Sequence, residues 1–428
     1  MILDSKNNLH EIDFDQVELD SFWNTGEKQE HLMHRIHAYP AKFPAFIATK
    51  SIEYAKQDYP ALHRIADIFC GCGTVAFESK INAIDFWGCD INPVAVLIAK
   101  VKSKGKYQTS RLKRYYELII QSFDTIADDM FVPYCKANPR FRYWYDETHY
   151  EDLAKLKKAI EKVTSEKSDY RLFYYCAFSN ILKPTSRWLT KSIKPQIDPE
   201  KTIPDVLSTF KTQVATMIHA CQDVPIQQMG HTDVVQMNFL DKQMRIPKVD
   251  MIVTSPPYVT SYEYADLHQL SSLWLEYASD YRDLRKGSIG SLTQNYPFKE
   301  KIKLLNSTGK EIVEKLLKNI PEKARDVAKY YIDMQTVAKR AYTILRKKGL
   351  AVFVIGNTEY KGVRIDNAKH LTESLFDAGF SEVKVTKRKI SKKNLTPFRD
   401  ERGHFSSDGN GRKVYSEEFI LIGRKCHG

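Results

Sequence analysis

Apolar and polar positions change period several times along the chain. After Ala61 the sequence reads LHRIADIFCGCGTVAFESKINAIDFWGCDINP, which parses as an apolar strand, a glycine turn, a helix and a second strand ending at Asp90. KVDMIVTSPPY supplies another apolar strand, ending at Thr254. YYIDMQTVAKRAYTILRKKGLAVFVIGN then gives a helix with Tyr331, Met334, Ala338, Ala341 and Leu345 on one face, closed by Gly349, and a buried strand at Leu350 to Ile355. A helix around Leu371 to Phe376 and strands at Glu382 to Thr386 and Glu418 to Ile422 continue the alternation. Strand and helix in turn predict an α/β fold with a doubly wound, mostly parallel sheet, whose ligand crevice lies at the carboxyl ends of its strands.

That rhythm stops between Ser103 and Gly230, where helical text rich in tyrosine and lysine intervenes: KGKYQTSRLKRYYELII, PRFRYWYDETHYEDLAKLKKAIEKV and RLFYYCAFSNILKPTSRWLTKSIKP. The chain therefore divides into residues 1–102 and 231–428, two parts of one α/β domain, and a largely helical insertion, 103–230. Its basic and aromatic residues suit a surface that grips phosphates and stacks on bases, and equally an amphipathic bundle with buried rings and solvated lysines. Arg285 to Glu322 and the basic stretch Lys387 to Lys413 read as long surface excursions.

A length of 428 residues fits two to three compact units, or one large enzyme domain with an insertion. No apolar run approaches the roughly 18 residues of a membrane span. The excess of Lys and Arg gives a net charge of +12, which draws the molecule to polyanions such as nucleic acid. The acidic start MILDSKNNLHEIDFDQ lacks the pattern of a secretory signal, so a cytoplasmic location is expected. Seven cysteines without CxxC spacing read as reduced thiols rather than a disulfide framework or zinc ribbon. His31, His34 and His37 sit three apart, but no acidic or cysteine partner of matching spacing lies nearby, and no metal site is expected.

Two motifs carry chemistry. Asp67, Phe69, Gly71, Gly73 and Thr74 form a strand-to-helix turn whose glycines let backbone amides approach an anionic group at a helix N-terminus. Asp90, at the end of the next strand, is placed to accept hydrogen bonds from ribose hydroxyls. The bland alternative is a tight turn followed by a capping Asp90 before Asn92 and Pro93. In the second motif, Ser255, Pro256, Pro257 and Tyr258 directly follow the strand ending at Thr254. The prolines fix an irregular backbone, the Ser255 hydroxyl and Pro256 carbonyl can accept from an exocyclic amine, and the Tyr258 ring can stack on a base. A prolyl strand terminator with a packing tyrosine is the bland alternative here.

FCGCGT and TSPPY resemble the cofactor loop and catalytic motif of S-adenosylmethionine-dependent DNA amino-methyltransferases, especially the cytosine-N4 members, which carry a serine before the prolines. HAYPAKFP at His37 to Pro44 is similar to the segment packing under the methionine end of the cofactor, and DINPVAVLIAKVK also matches. The resemblance implies a Rossmann-like, seven-stranded methyltransferase sheet. It implies an S-adenosyl-L-methionine site drawn from Lys42, Phe43, Asp67, Phe69, Cys70, Gly71, Cys72, Gly73, Thr74, Asp90, Ile91, Asn238 and Thr254. Within it Asp90 binds ribose, Ile91 covers the adenine and Asn238 meets the adenine amine, where many relatives carry aspartate. Cofactor loop, insertion and catalytic motif follow in the order called alpha, whereas many cytosine-N4 enzymes place the catalytic motif first.

The expected reaction is site-specific transfer of a methyl group to cytosine N4 in double-stranded DNA, in a restriction–modification or epigenetic setting. The conjugated amine is a poor nucleophile, so orientation by Ser255 and Pro256 does most of the work. The base must be flipped out, with Tyr258 and Tyr262 replacing its stacking. A cytosine-C5 enzyme would need a nucleophilic cysteine after proline, and the sequence has no Pro-Cys dipeptide. Adenine-N6 transfer is the nearest rival; an RNA base methyltransferase and a non-catalytic nucleic-acid-binding protein follow. In the helix after the motif, Leu267, Leu270, Trp274 and Tyr277 share one face, leaving Glu263, Asp266 and His268 nearer the crevice mouth, with His268 expected to be structural. The target-recognition surface is assigned to the insertion, including RFRYWY at Arg140 to Tyr145. A cognate restriction endonuclease is an optional partner, and the chain is a monomer or a homodimer.

Overall fold

Strands with apolar residues on both faces form the middle of the molecule, which places helical layers above and below them. In this computed structural model the described residues are all except 8, 26–28, 41, 60, 225–228, 260–262, 293–295, 391–397, 400–404, 407–411, 414–416 and 427–428. The first part comprises β1 (Ile2–Leu3), α1 (Ala45–Asp58), β2 (Arg64–Asp67), α2 (Thr74–Ile81), β3 (Asp85–Asp90) and α3 (Pro93–Lys104). The insertion contributes α4 (Thr109–Phe123), α5 (Pro139–Trp144), α6 (Glu147–Val163), α7 (Asp169–Ile181) and α8 (Val206–Gln222). Then come β4 (Thr232–Gln236), β5 (Val249–Thr254), α9 (Tyr264–Leu267), α10 (Gln269–Trp274), α11 (Phe298–Lys301), α12 (Ser307–Asn319) and α13 (Pro321–Ile344). The last part holds β6 (Leu345–Ile355), a ribbon of β7 (Thr358–Tyr360) and β8 (Val363–Ile365), α14 (Asn367–Ala378) and β9 (Glu382–Lys389). It ends with a small sheet of β10 (Phe398–Arg399), β11 (Phe405–Ser406) and β12 (Arg412–Lys413), followed by β13 (Glu417–Arg424).

The main sheet runs β1-β9-β13-β6-β5-β2-β3-β4. Strands β4, β3, β2, β5 and β6 are parallel, and β13 lies antiparallel between β6 and β9. The expected mostly parallel, doubly wound sheet is present, with β1 adding an eighth strand to the seven expected. Because β2 has β3 on one side and β5 on the other, the strand order reverses there, and a crevice opens beyond their carboxyl ends. Alternation along β6 explains the layering. Ala351, Phe353 and Ile355 face the cluster of α12, α13 and α14, whereas Leu350, Val352 and Val354 face that of α1 and α2.

Some local expectations give way to tertiary pairing. Gly349 does not close α13; the helix ends at Ile344, so Leu345 also leaves it. Val249 faces Leu345 but Met251 faces Leu350, so Arg346 to Gly349 bulge from the ladder. A Cβ on Gly349 would stand 2.9 Å from the Asp250 carbonyl oxygen, which is why glycine fits this close approach. Arg285 to Glu322 is not a plain surface excursion, for α11 and α12 lie within it and Ile312, Val313 and Leu316 enter the core. The helix expected after the catalytic motif is broken at His268 into α9 and α10.

The insertion is helical, as its text predicts, but it does not enclose a core of its own. Trp144, Phe173 and Phe178 belong to the same cluster as Val94, Leu97 and Ile98 of α3 and Leu270 and Trp274 of α10. The Trp274 ring lies 4.5 Å from Phe141 and 5.3 Å from Tyr150. In RFRYWY, Trp144 and Tyr145 are buried and Phe141 is packed, which leaves Arg142 and Tyr143 as the exposed members. Arg140 is engaged too, its Nε bonding Gln269 Oε1 at 2.6 Å. Among the described residues no helix is long and apolar enough to cross a membrane.

Trp274 thus ties the helix after TSPPY to the insertion. Trp274→Ala should cost about 3–5 kcal/mol of unfolding free energy, measured by denaturant titration. A loss under about 1 kcal/mol would show that the insertion and catalytic core do not share this packing.

Candidate functional site

The turn between β2 and α2 is shaped by its two glycines. Gly71 has φ 48° and Gly73 φ 76°, a left-handed backbone that glycine adopts without strain. A Cβ on Gly73 would also fall 2.7 Å from the Ala99 Cα, so α3 can pass directly behind the loop. Gly73 caps α2 without a side-chain bond, so no capping side chain competes for the helix's first amides.

Asp90 holds this loop in place. Its Oδ2 accepts from the Gly71 amide at 2.9 Å and its Oδ1 from the Asn92 amide at 2.9 Å. Each carboxylate oxygen has two acceptor sites, so the half-buried group retains capacity for ribose hydroxyls. Burial raises its pKa above the usual carboxylate range, while the backbone amides oppose the shift. Asp67 lies deeper, and its Oδ1 accepts from Thr254 Oγ1 at 2.6 Å and from the Phe69 amide at 3.1 Å. That contact joins the two motifs across neighbouring parallel strands. Burial pushes the Asp67 carboxyl up to about 7 despite both hydrogen bonds.

Phe69, Gly71, Asp90, Ile91 and Asn238 are the partly exposed members of the expected cofactor set around the turn, whereas Cys70, Cys72, Gly73, Thr74 and Thr254 are buried behind them. Phe69 meets Phe239 edge to face. Cys72 receives a contact from the buried Lys102 ammonium at 3.3 Å. Asn238 is already engaged: its Nδ2 donates to the Gly287 carbonyl at 3.0 Å and its Oδ1 accepts from the Leu240 amide at 2.9 Å. A Cβ on Gly287 would stand 3.1 Å from that Nδ2 and 3.4 Å from Ile91 Cδ1, so the segment after Arg285 docks over this end of the crevice. Arg285 anchors it through a two-pronged pair with Asp266 at 2.6 and 2.8 Å.

In HAYPAKFP, Lys42 bonds Glu30 at 2.9 Å and the His34 carbonyl at 3.0 Å, while Phe43 packs with α1. Tyr39 approaches the loop instead, its ring 3.6 Å from where a Gly71 Cβ would be and stacked on His268 at 5.0 Å. His268 is buried, receives the Asn92 amide on Nδ1 at 2.8 Å and is held down to about 4 by burial, so it is neutral near pH 7. His31, His34 and His37 bond separate partners, namely the Asp223 carbonyl, Glu78 and Ser179.

The catalytic motif leaves β5 beside β6. Ser255 donates its hydroxyl to the Val354 carbonyl at 3.0 Å. Its proton is spent there, and toward any third group this oxygen acts as an acceptor. Pro256 is buried, and Pro257 and Tyr258 are half-buried. The Tyr258 ring lies against Gly356, 3.3 Å from where a Cβ would be, and its hydroxyl donates to Glu418 at 2.9 Å. Tyr262 lies outside the described residues.

No family model matches the chain. It is 24% identical over 431 residues to the type II methyltransferase M.MvaI of Kocuria varians, covering 94% of this chain and 92% of that protein. It is 22% identical over 389 residues to the type II methyltransferase M.BsoBI of Geobacillus stearothermophilus, covering 77% and 75%. Among solved structures, the rRNA methyltransferase aviRa from Streptomyces viridochromogenes aligns over 95% of this chain and 93% of its own, at 9% identity and a TM-score of 0.27. At that score the fold rests on the strand order instead. Sheet order, glycine turn and the two curated relatives support an S-adenosylmethionine-dependent methyltransferase. The relatives in question are both type II methyltransferases, and the match to the first takes in most of both chains.

The site fits that cofactor: a helix start without a capping side chain on α2, a half-buried carboxylate on Asp90 with acceptor capacity left, and a left-handed glycine in the turn. The raised Asp67 pKa has a measurable consequence. The folded chain keeps a proton that the unfolded chain releases near pH 3.8, so this group's contribution to stability falls as pH rises from 3.8 to about 7. Asp67→Asn should flatten stability against pH within that window, read from denaturation midpoints. Equal slopes for variant and parent would show that Asp67 is ionised throughout.

Proposed function

We propose that the chain methylates the exocyclic N4 amine of a cytosine flipped out of double-stranded DNA. Ser255 carries this reading, because its hydroxyl proton is committed to Val354 and an outward lone pair suits an amine donor. Its likeness to type II methyltransferases and its net charge of +12 support a nucleic-acid substrate. When bound, S-adenosylmethionine supplies an electrophilic methyl on a sulfonium. Asp90 would hold its ribose, Ile91 and Phe69 would cover its adenine, and the turn from Gly71 to Thr74 would hold its methionine end. Asn238 serves adenine through its position rather than a free amide, since both ends of that group are bonded.

Ser255 and the Pro256 carbonyl accept the two amine protons and aim the nitrogen lone pair at the methyl group. As nitrogen becomes positive these acceptors strengthen, and its proton then leaves to solvent. Tyr258 replaces the stacking that the base loses on leaving the duplex. The exposed residues of the insertion, Arg142 and Tyr143 among them, read sequence context, while surface lysines and arginines hold phosphates.

Ser255→Ala should lower single-turnover methyl transfer on the order of 100-fold and leave S-adenosylmethionine affinity unchanged. Because the substitution also strips Val354 of its donor, a stability loss of about 1–3 kcal/mol should accompany it. Isothermal titration and rapid-quench assays separate the effects. A parallel loss of cofactor affinity would remove Ser255 from the base side of the site.

A further inference from the structure

The Tyr258 ring is held at two points, and the second leads away from every motif in the sequence. Its hydroxyl donates to Glu418 Oε1 at 2.9 Å. The other oxygen of Glu418 is paired with the guanidinium of Arg388, whose side chain is only 4% exposed. Glu418 and Arg388 are direct cross-strand partners on β13 and β9, which pair antiparallel. Arg388 in turn lies over the Phe46 ring of α1, 5.5 Å from its centroid. Gly356 admits one edge of the ring at a spacing where any Cβ would press against it.

This is more than packing requires. A tyrosine hydroxyl at a half-open crevice could bond to water, and a buried ion pair adds little stability compared with apolar residues of the same volume. What the pair provides is a fixed acceptor. A carboxylate oxygen makes a stronger, better directed bond than water, and the pairing with Arg388 orients Glu418. The hydroxyl lies on the ring's Cβ–Cγ axis, so its bond fixes the far end of that axis against sideways drift, while the close approach at Gly356 limits turning of the ring about it.

We propose that Glu418 and Arg388 are positioning residues that lock the Tyr258 ring as a prefixed platform for the extruded base. This rests on the reading of Tyr258 as the stacking residue. Its consequence is kinetic: a locked ring pre-orders the site, so loosening it slows transfer and weakens capture of the flipped base without touching cofactor binding. Misplacement of a reacting group by about 1 Å can cost up to about 100-fold in rate.

The test uses the full-length protein with two DNA duplexes of the sequence it methylates, one keeping cytosine at the target position for the transfer assay and one carrying 2-aminopurine there, whose fluorescence rises when that base leaves the stack. Tyr258→Phe removes only the hydroxyl and leaves the Glu418–Arg388 pair intact, so it remains informative if Glu418→Ala fails to fold. Tyr258→Phe and Glu418→Ala should each lower single-turnover transfer by roughly 10- to 100-fold and reduce the fluorescence change, with unaltered S-adenosylmethionine affinity. The double variant should lose no more than either single one, and Glu418→Gln, which keeps an acceptor, should restore most of the rate. Parental transfer and fluorescence in Tyr258→Phe, alongside a severe loss in Tyr258→Ala, would overturn the positioning role while sparing the stacking role. Parental activity in Tyr258→Ala would overturn both.

Discussion

A single buried contact, Asp67 Oδ1 with Thr254 Oγ1, fixes the distance between the two halves of the site. Each partner is the last residue of its strand, β2 and β5, and those strands are neighbours at the point where sheet order reverses. Asp67 therefore holds the start of the glycine turn through Phe69 while Thr254 holds the start of TSPPY. Without a bond of this kind, two irregular loops would leave one sheet edge with independent freedom. The elevated pKa of Asp67 is the cost of burying the carboxyl that joins them.

The same economy extends outward. Asp90 closes the turn from the next strand, Ser255 fastens the catalytic loop to β6, and Tyr258 reaches past β6 to Glu418 on β13. Four adjacent strands and the antiparallel β13 each supply one fixed point, so the crevice is defined by rigid elements rather than by its loops. The insertion joins this frame through α10, whose Trp274 sits among Phe141, Tyr150 and Phe178. Any surface that the insertion presents to a substrate is thus mechanically continuous with the catalytic loop.

Much of this was legible in the chain because it is written locally. An apolar strand followed by GCG, as in β2, or by SPP, as in β5, announces its conformation within a few residues, and apolar positions mark β3, β6, β9 and β13. Gly349 misled because a glycine after helical sequence satisfies the stop pattern, while the bulge that needs it arises from pairing with β5. RFRYWY looked like an exposed basic and aromatic surface, yet only tertiary packing shows that Trp144 and Tyr145 face inward. Tyr39 and Gly287 carry no such signal, since neither lies in a periodic segment and each reaches the crevice by docking. Glu418 left one faint signal, an acid at the head of an otherwise apolar strand, and its link to Tyr258 depends on a register that sequence does not state.

The most direct test of the central claim is chemical. DNA incubated with the protein and isotopically labelled S-adenosylmethionine, digested to nucleosides and resolved by mass spectrometry, should carry the label in N4-methyldeoxycytidine. Label in N6-methyldeoxyadenosine would show that Ser255 accepts an adenine amine instead, and label confined to RNA or absent from nucleic acid would contradict the assignment of the crevice to a DNA base.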